Sequence, residues 1–175
     1  RSSANIAAIL DAPAAADPDR PALLVVDDVG AGGDEVDCTY GDLAAAVGRW
    51  SATPASRGGV AGDRVPLADW GGVRGTAVTL AAAHLGAATA QLSPLLTAAE
   101  LGRIFPSSDR GAVAVASADA SEALASALGP GGTVLDRPDA GARRVPDRHA
   151  GGDADALVLF TSGTTGTPRP VAVSH

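Results

Sequence analysis

The sequence predicts an α/β layered fold: a largely parallel β-sheet flanked by helices on both sides, with a small hairpin near the N-terminus. Three observations carry this. Short aliphatic runs alternate with Ala-rich helical stretches along the chain. Apolar residues make up 46% of the 175 residues but aromatics only 3%, so the core must be built from Val, Leu, Ile and Ala. That is the composition of parallel strands covered by Ala-rich helices. The last apolar run, Ala156 to Phe160, is continuous rather than alternating, as expected of a buried strand.

The elements follow in order. A first helix is expected from Asn5 to Ala16, broken by Asp17-Pro18. Ala22 to Val26 and Glu35 to Tyr40 read as two strands joined through Gly30, Gly32 and Gly33, a hairpin. Leu43, Val47 and Trp50 recur at helical spacing and mark the buried face of the next helix. Asp63 to Leu67 is a short strand, and Val73, Ala77, Leu80 and His84 mark another helical face, with His84 expected as a satisfied core histidine. Ala87 to Leu92 is a strand closed by Ser93-Pro94. Thr97-Ala98-Ala99-Glu100 is a capping box, with Leu101, Ile104 and Phe105 on the buried side of its helix. Ala112 to Ala116 is a further strand, Asp119 to Glu122 a second capping-box candidate before Leu124 and Leu128, and Thr133 to Leu135 a short strand. The chain thus divides into an α/β subdomain over 1–136, a polar Gly/Pro-rich linker over 137–155, and a strand–loop–strand over 156–175. His149, within the linker, is expected to be a solvated loop residue.

Composition excludes several function classes. Net charge is −7 and all 13 basic residues are Arg, interleaved with acids even at Arg143, Arg144, Asp147 and Arg148. An acidic chain without a basic run argues against nucleic acid or an anionic membrane as partner. No apolar stretch reaches the ~20 residues a membrane span needs, no signal-peptide pattern is present, and the cytoplasm is the expected compartment. Cys38 is the only cysteine, so neither an internal disulfide nor a zinc cluster is expected, and it reads as a small strand residue. The chain starts at Arg1 and contains no Met, which predicts a processed or excised piece.

The chemistry lies at the end. Between two strands runs Thr161-Ser162-Gly163-Thr164-Thr165-Gly166-Thr167-Pro168-Arg169. Gly163 and Gly166 allow close approach of an anion, and successive backbone N–H groups there can form a nest around phosphate oxygens. The hydroxyls of Ser162, Thr164 and Thr165 add donors, and Arg169 adds a fixed charge with bidentate reach. The spacing is not that of a Walker A loop, nor is Phe160 to Thr164 a nucleophile elbow. Thr/Gly composition alone favours a merely flexible turn.

This nonapeptide, flanked by Val158-Leu159-Phe160 and by Val171 through His175, resembles the phosphate-binding signature of the adenylate-forming superfamily, which includes acyl-CoA synthetases, nonribosomal peptide synthetase adenylation domains and luciferases. Thr39-Tyr40-Gly41-Asp42-Leu43, Gly59 to Val65, and Ala87 to Pro94 resemble further elements of that family in the same order. The Thr97 to Leu101 element leans toward carboxylic-acid rather than amino-acid substrates. The resemblance implies the incomplete N-terminal part of an adenylate-forming fold, with Thr161, Ser162, Gly163, Thr164, Thr165, Gly166 and Arg169 at the nucleotide phosphates and ATP with Mg²⁺ as cofactors. It places no catalytic residue and no metal ligand in this chain.

Two departures stand out. Arg169-Pro170 replaces the family's Lys-Gly; Arg keeps the charge but is not equivalent to Lys at a tuned site, and Pro170 removes a backbone donor and favours an extended Arg169. The acid pocket, the adenine contacts and the mobile C-terminal domain with its lysine all lie downstream in the family, and this chain has no lysine. The expected function is therefore part of an acid–thiol ligase that cannot react alone, completed by a C-terminal half or a protein partner, with CoA or a carrier protein as acceptor. The alternatives are a truncated, non-catalytic scaffold or docking module, or a nucleotide sensor. An apolar edge strand ending at Val173 predicts that the chain is not a free monomer.

Overall fold

The computed structural model describes residues 5–25, 35–57, 61–69, 71–104, 113–140, 147–148, 151–161 and 168–175. A 3₁₀ turn, Ile6–Leu10, runs into helix α1, Asp11–Ala16, and strands β1, Pro21–Val25, and β2, Glu35–Thr39, follow. Then come α2, Tyr40–Ser56; β3, Arg64–Ala68; α3, Gly72–Leu85; β4, Ala88–Leu92; and α4, Ala98–Ile104. The remainder is β5, Val113–Ala116; α5, Ala118–Leu128; β6, Thr133–Leu135; β7, Asp155–Thr161; and β8, Arg169–Ser174. Strands β1 and β2 form the expected antiparallel hairpin. The other six form one sheet in the order β6-β5-β3-β4-β7-β8, parallel throughout except for the antiparallel β7–β8 pair at one edge.

The strand pleat sorts the core into two layers. Val65 and Leu67 of β3 and Val113 and Val115 of β5 face a cluster with Leu43, Val47 and Trp50 of α2 and Ala77, Val78 and Ala81 of α3. Their neighbours Ala68, Ala114 and Ala116 face the opposite layer, with Leu101 of α4 and Leu124 and Leu128 of α5. Alternate residues of one strand thus serve opposite faces, which is why these strands are apolar without alternation. Pro66 is tolerated inside central β3 because β5 registers against β3 only from Leu67 onward.

Local signals set the helix starts. Thr39 Oγ1 accepts from Asp42 N at 3.2 Å and Thr39 N donates to Asp42 Oδ2 at 3.3 Å, a reciprocal cap for α2. The same exchange joins Thr97 and Glu100 ahead of α4, as the spacing predicts. The second capping-box expectation is corrected: α5 begins at Ala118 with Ser117 as N-cap, and Asp119 already lies inside it. Strand β5 ends at Ala116 and Ser117 N is spent on Ala68 O at 2.9 Å, so the chain enters the helix two residues before Asp119 can act.

Two further expectations change. The fully buried side of α3 is Gly75, Ala77, Val78, Ala81, Ala82 and Ala83, while Val73 and Leu80 of the expected stripe pack partly buried at its flank. His84 is half-buried in the last turn of α3, where its Nδ1 accepts from Arg148 Nε at 3.4 Å. Small alanines let α3 lie close against its neighbours, so the larger side chains are pushed to the flanks. Cys38 is a buried strand residue, as expected. Phe105, Ala112, His149, Arg143 and Arg144 lie outside the described residues.

Candidate phosphate-binding site

The site is built where β7 turns back into β8. Thr161 ends β7, Arg169 opens β8, and the two are register partners, with Thr161 Oγ1 donating to Arg169 O at 3.5 Å. These two residues therefore fix the mouth of the hairpin. Ser162, Gly163, Thr164, Thr165 and Gly166 lie outside the described residues. Arg169 is extended, as the following proline requires, and exposed, and no carboxylate pairs with it among the described residues. Pro170 sits on the edge strand, where a missing N–H is least costly.

The mouth opens at the carboxyl edge of the parallel strands. β7 runs in register with β4, and β4 with β3, so Thr161, Ser93 and Asp69 each follow at the same end of the sheet. In open α/β sheets this edge is where ligands bind. Beside it, under the start of α3, lies a cleft of about 420 Å³ floored by Leu67, Leu80, Leu157 and Leu159 and edged by Asp69 and Gln91.

The strongest electrostatic feature here is one the sequence reading missed. Arg74 on the first turn of α3 forks onto Asp69 at the end of β3, with Nε–Oδ2 2.6 Å and Nη2–Oδ1 2.9 Å, and a third donor reaches Asp136 O at 3.3 Å. The Asp69 side chain is only 4% exposed and that of Arg74 36%. Hydrogen bonding to Asp69, reinforced by its charge, holds the Arg74 guanidinium pKa above its ordinary value despite partial burial. The fork braces the β3–α3 turn and carries the chain beyond β6 against it. An Asp and an Arg five apart across a Gly-Gly turn was the available signal.

The sequence matches the profile of the AMP-binding enzyme family over residues 10–175. The chain belongs to that family. It is 31% identical over 154 residues to the long-chain-fatty-acid–CoA ligase FadD13 of Mycobacterium tuberculosis, a match covering 81% of this chain and 30% of the relative. Among solved structures, the inhibitor-bound N-terminal domain of FACL13 from Mycobacterium tuberculosis is 25% identical, with a TM-score of 0.73 over 99% of this chain and 45% of that one. The fatty acyl-adenylate ligase from L. pneumophila, solved with acyl adenylate and pyrophosphate, superposes with a TM-score of 0.78 at 19% identity, over 98% of this chain and 30% of that one. The chain spans about a third of the length of the ligases it matches. These relatives confirm the predicted fold as that of the N-terminal part of adenylate-forming enzymes. No described helix is long and apolar enough to cross a membrane.

Proposed function

We propose that this chain is the N-terminal portion of an ATP-dependent adenylate-forming enzyme and that its β7–β8 loop holds the nucleotide phosphates. The whole enzyme joins a carboxylic acid to AMP with release of pyrophosphate and then passes the acyl group to a thiol, on CoA or a carrier protein. The observation that carries the reading is the hairpin mouth: Thr161 and Arg169, which no described carboxylate pairs with, are register partners at the carboxyl edge of the parallel strands, the edge where ligands bind in open α/β sheets. In this reading Thr161, Ser162, Gly163, Thr164, Thr165 and Gly166 supply backbone and hydroxyl donors and Arg169 supplies the charge. Bound Mg²⁺ would offset charge on the phosphates; no described residue is assigned as its ligand.

Holding phosphate is not enough for adenylation. The acid must be held in line with the α-phosphorus while charge is stabilised on the leaving pyrophosphate, and the chain has no lysine for that task. The isolated chain is therefore inactive, and the remainder of an adenylate-forming enzyme completes it. Leu159, Val171 and Val173, each more than 40% exposed on neighbouring rungs of β7 and β8, support such a partner, since together they form an uncovered apolar strip. The cytoplasm is the proposed compartment.

The test is acid-dependent ATP–pyrophosphate exchange, measured on the chain alone and on the chain fused to the downstream part of an adenylate-forming enzyme. The account expects no exchange alone and measurable exchange in the fusion. A fusion that folds, binds neither ATP nor acid and still recruits proteins through the strip would favour the scaffold reading instead.

A further inference from the structure

The loop-bearing hairpin is held at its far end by a short segment from the opposite end of the chain. Asn5, nine-tenths buried, caps the first 3₁₀ turn by accepting from Ala7 N at 2.9 Å, and its Nδ2 donates to Ala83 O near the end of α3 at 2.5 Å. The next donor, Ile6 N, is a helix-end N–H without an intrahelical acceptor, and it donates to His175 Nδ1 at 3.2 Å. His175 directly follows β8, and its own N–H donates to Ala154 O, the residue before β7, at 3.2 Å. Six residues on, the Asp11 carboxylate receives both forks of Arg148, which also donates to His84.

The seven residues from Asn5 to Asp11 thus tie together the end of α3, the end of β8 and the chain leading into β7. Apolar packing contributes through the turn alone, where Leu10 joins the core cluster of α2 and α3. Helix α1 buries none of its residues, and between it and α2 lies a cavity of about 520 Å³ lined by small side chains such as Ala14, Ala44 and Gly48. Only Ala7 and Leu10 of the preceding turn are buried. The polar ties therefore act beside the β4–β7 pairing and the buried Ala156 and Val158 in fixing the base of the hairpin.

We infer that Asn5, Asp11, Arg148 and His175 are positioning residues for the phosphate loop, acting as a brace across the base of the β7–β8 hairpin whose other end carries it. The loop role rests on the phosphate-binding reading; the brace itself does not. Because Nδ1 of His175 accepts, its ring is the neutral tautomer with the proton on Nε2, and an Asn amide oxygen can stand in for Nδ1.

The experiment compares the whole chain with His175→Ala, His175→Asn and Asp11→Asn by amide hydrogen exchange, and separately by calorimetric titration with Mg·ATP. The expected result is that His175→Ala speeds exchange across β7 and β8 by about 5-fold, the equivalent of one ordinary hydrogen bond, while α5 and β5 are unchanged. Mg·ATP affinity should fall by a similar factor, and His175→Asn should restore both. Asp11→Asn, on the exposed surface, should loosen the start of β7 in the same sense. Unchanged β7–β8 exchange in both His175→Ala and Asp11→Asn overturns the brace. Faster exchange without rescue by His175→Asn, or with Mg·ATP affinity untouched, overturns the positioning role. Wild-type chain that binds no Mg·ATP overturns the phosphate reading instead, and the exchange comparison still decides the brace.

Discussion

Removing Arg74 tests the electrostatic hinge beside the proposed site. In Arg74→Ala the Asp69 carboxylate, 4% exposed, loses both arms of a 2.6 and 2.9 Å fork while staying in place at the end of β3. Stranding one partner of a fully buried pair costs about 3 to 5 kcal/mol. The Arg74 side chain is 36% exposed, so water reaches the vacated space and reduces the penalty, to about 2 to 3 kcal/mol. For a chain of this size that lowers Tm by about 5 to 10 °C. Urea unfolding followed by far-ultraviolet circular dichroism gives the free energy, and the double variant Asp69→Leu/Arg74→Met supplies the control. The double variant removes both charges together and should recover most of the loss. An Arg74→Ala protein within about 0.5 kcal/mol of wild type would refute the view that this fork holds the β3–α3 turn.

Three further outcomes are expected. A Cβ at Gly132 would lie 2.6 Å from the Leu128 Cβ, which is fixed to the end of α5, so Gly132→Ala should cost about 1 to 3 kcal/mol in urea unfolding. Gly75→Ala, with nothing within 4 Å of the new methyl, should instead stabilise by about 0.5 to 1 kcal/mol, because Ala is the better helix former. The caps give a pH signature. Hydrogen bonds from Thr39 hold the Asp42 carboxyl, and those from Thr97 the Glu100 carboxyl, below their ordinary values. A depressed folded pKa contributes stability that is present above the unfolded value and lost as pH falls through the folded one. Thermal melts should therefore decline below the ordinary carboxylate range, and Asp42→Asn with Glu100→Gln should flatten that decline.

The fold was legible where one physical rule acted alone. Val65, Leu67, Val113 and Val115 read as strand residues in an aliphatic core, and the Thr97 cap announced its helix through chemistry confined to four residues. The equal cap at Thr39 was hidden by a strand pattern running on to Tyr40. Legibility failed where tertiary contacts competed with local pattern. The Asp119 box has the right spacing, but Ser117 is pinned to Ala68 and the helix starts early. The α3 stripe was partly right: Ala77 is buried and Val73 and Leu80 pack against the same core, but Val78 and Ala81 to Ala83 take the fully buried positions, because small side chains allow the closest approach. Of the site, Thr161 and Arg169 were placed by motif, and the structure makes them register partners. The ties from Asn5 to His175 were not legible, since they depend on segments the topology brings together, whereas the Asp69–Arg74 fork left a local signal in its five-residue spacing.

The most direct test of the central claim is calorimetric titration of the chain with Mg·ATP, beside Arg169→Ala. Charge-assisted contacts of this kind are worth about 1.5 to 3 kcal/mol, so the account predicts saturable binding that weakens by about 10- to 100-fold in Arg169→Ala, with the unfolding free energy unchanged. No saturable binding by the wild-type chain, or binding indifferent to Arg169, would contradict the assignment of the β7–β8 loop to nucleotide phosphates.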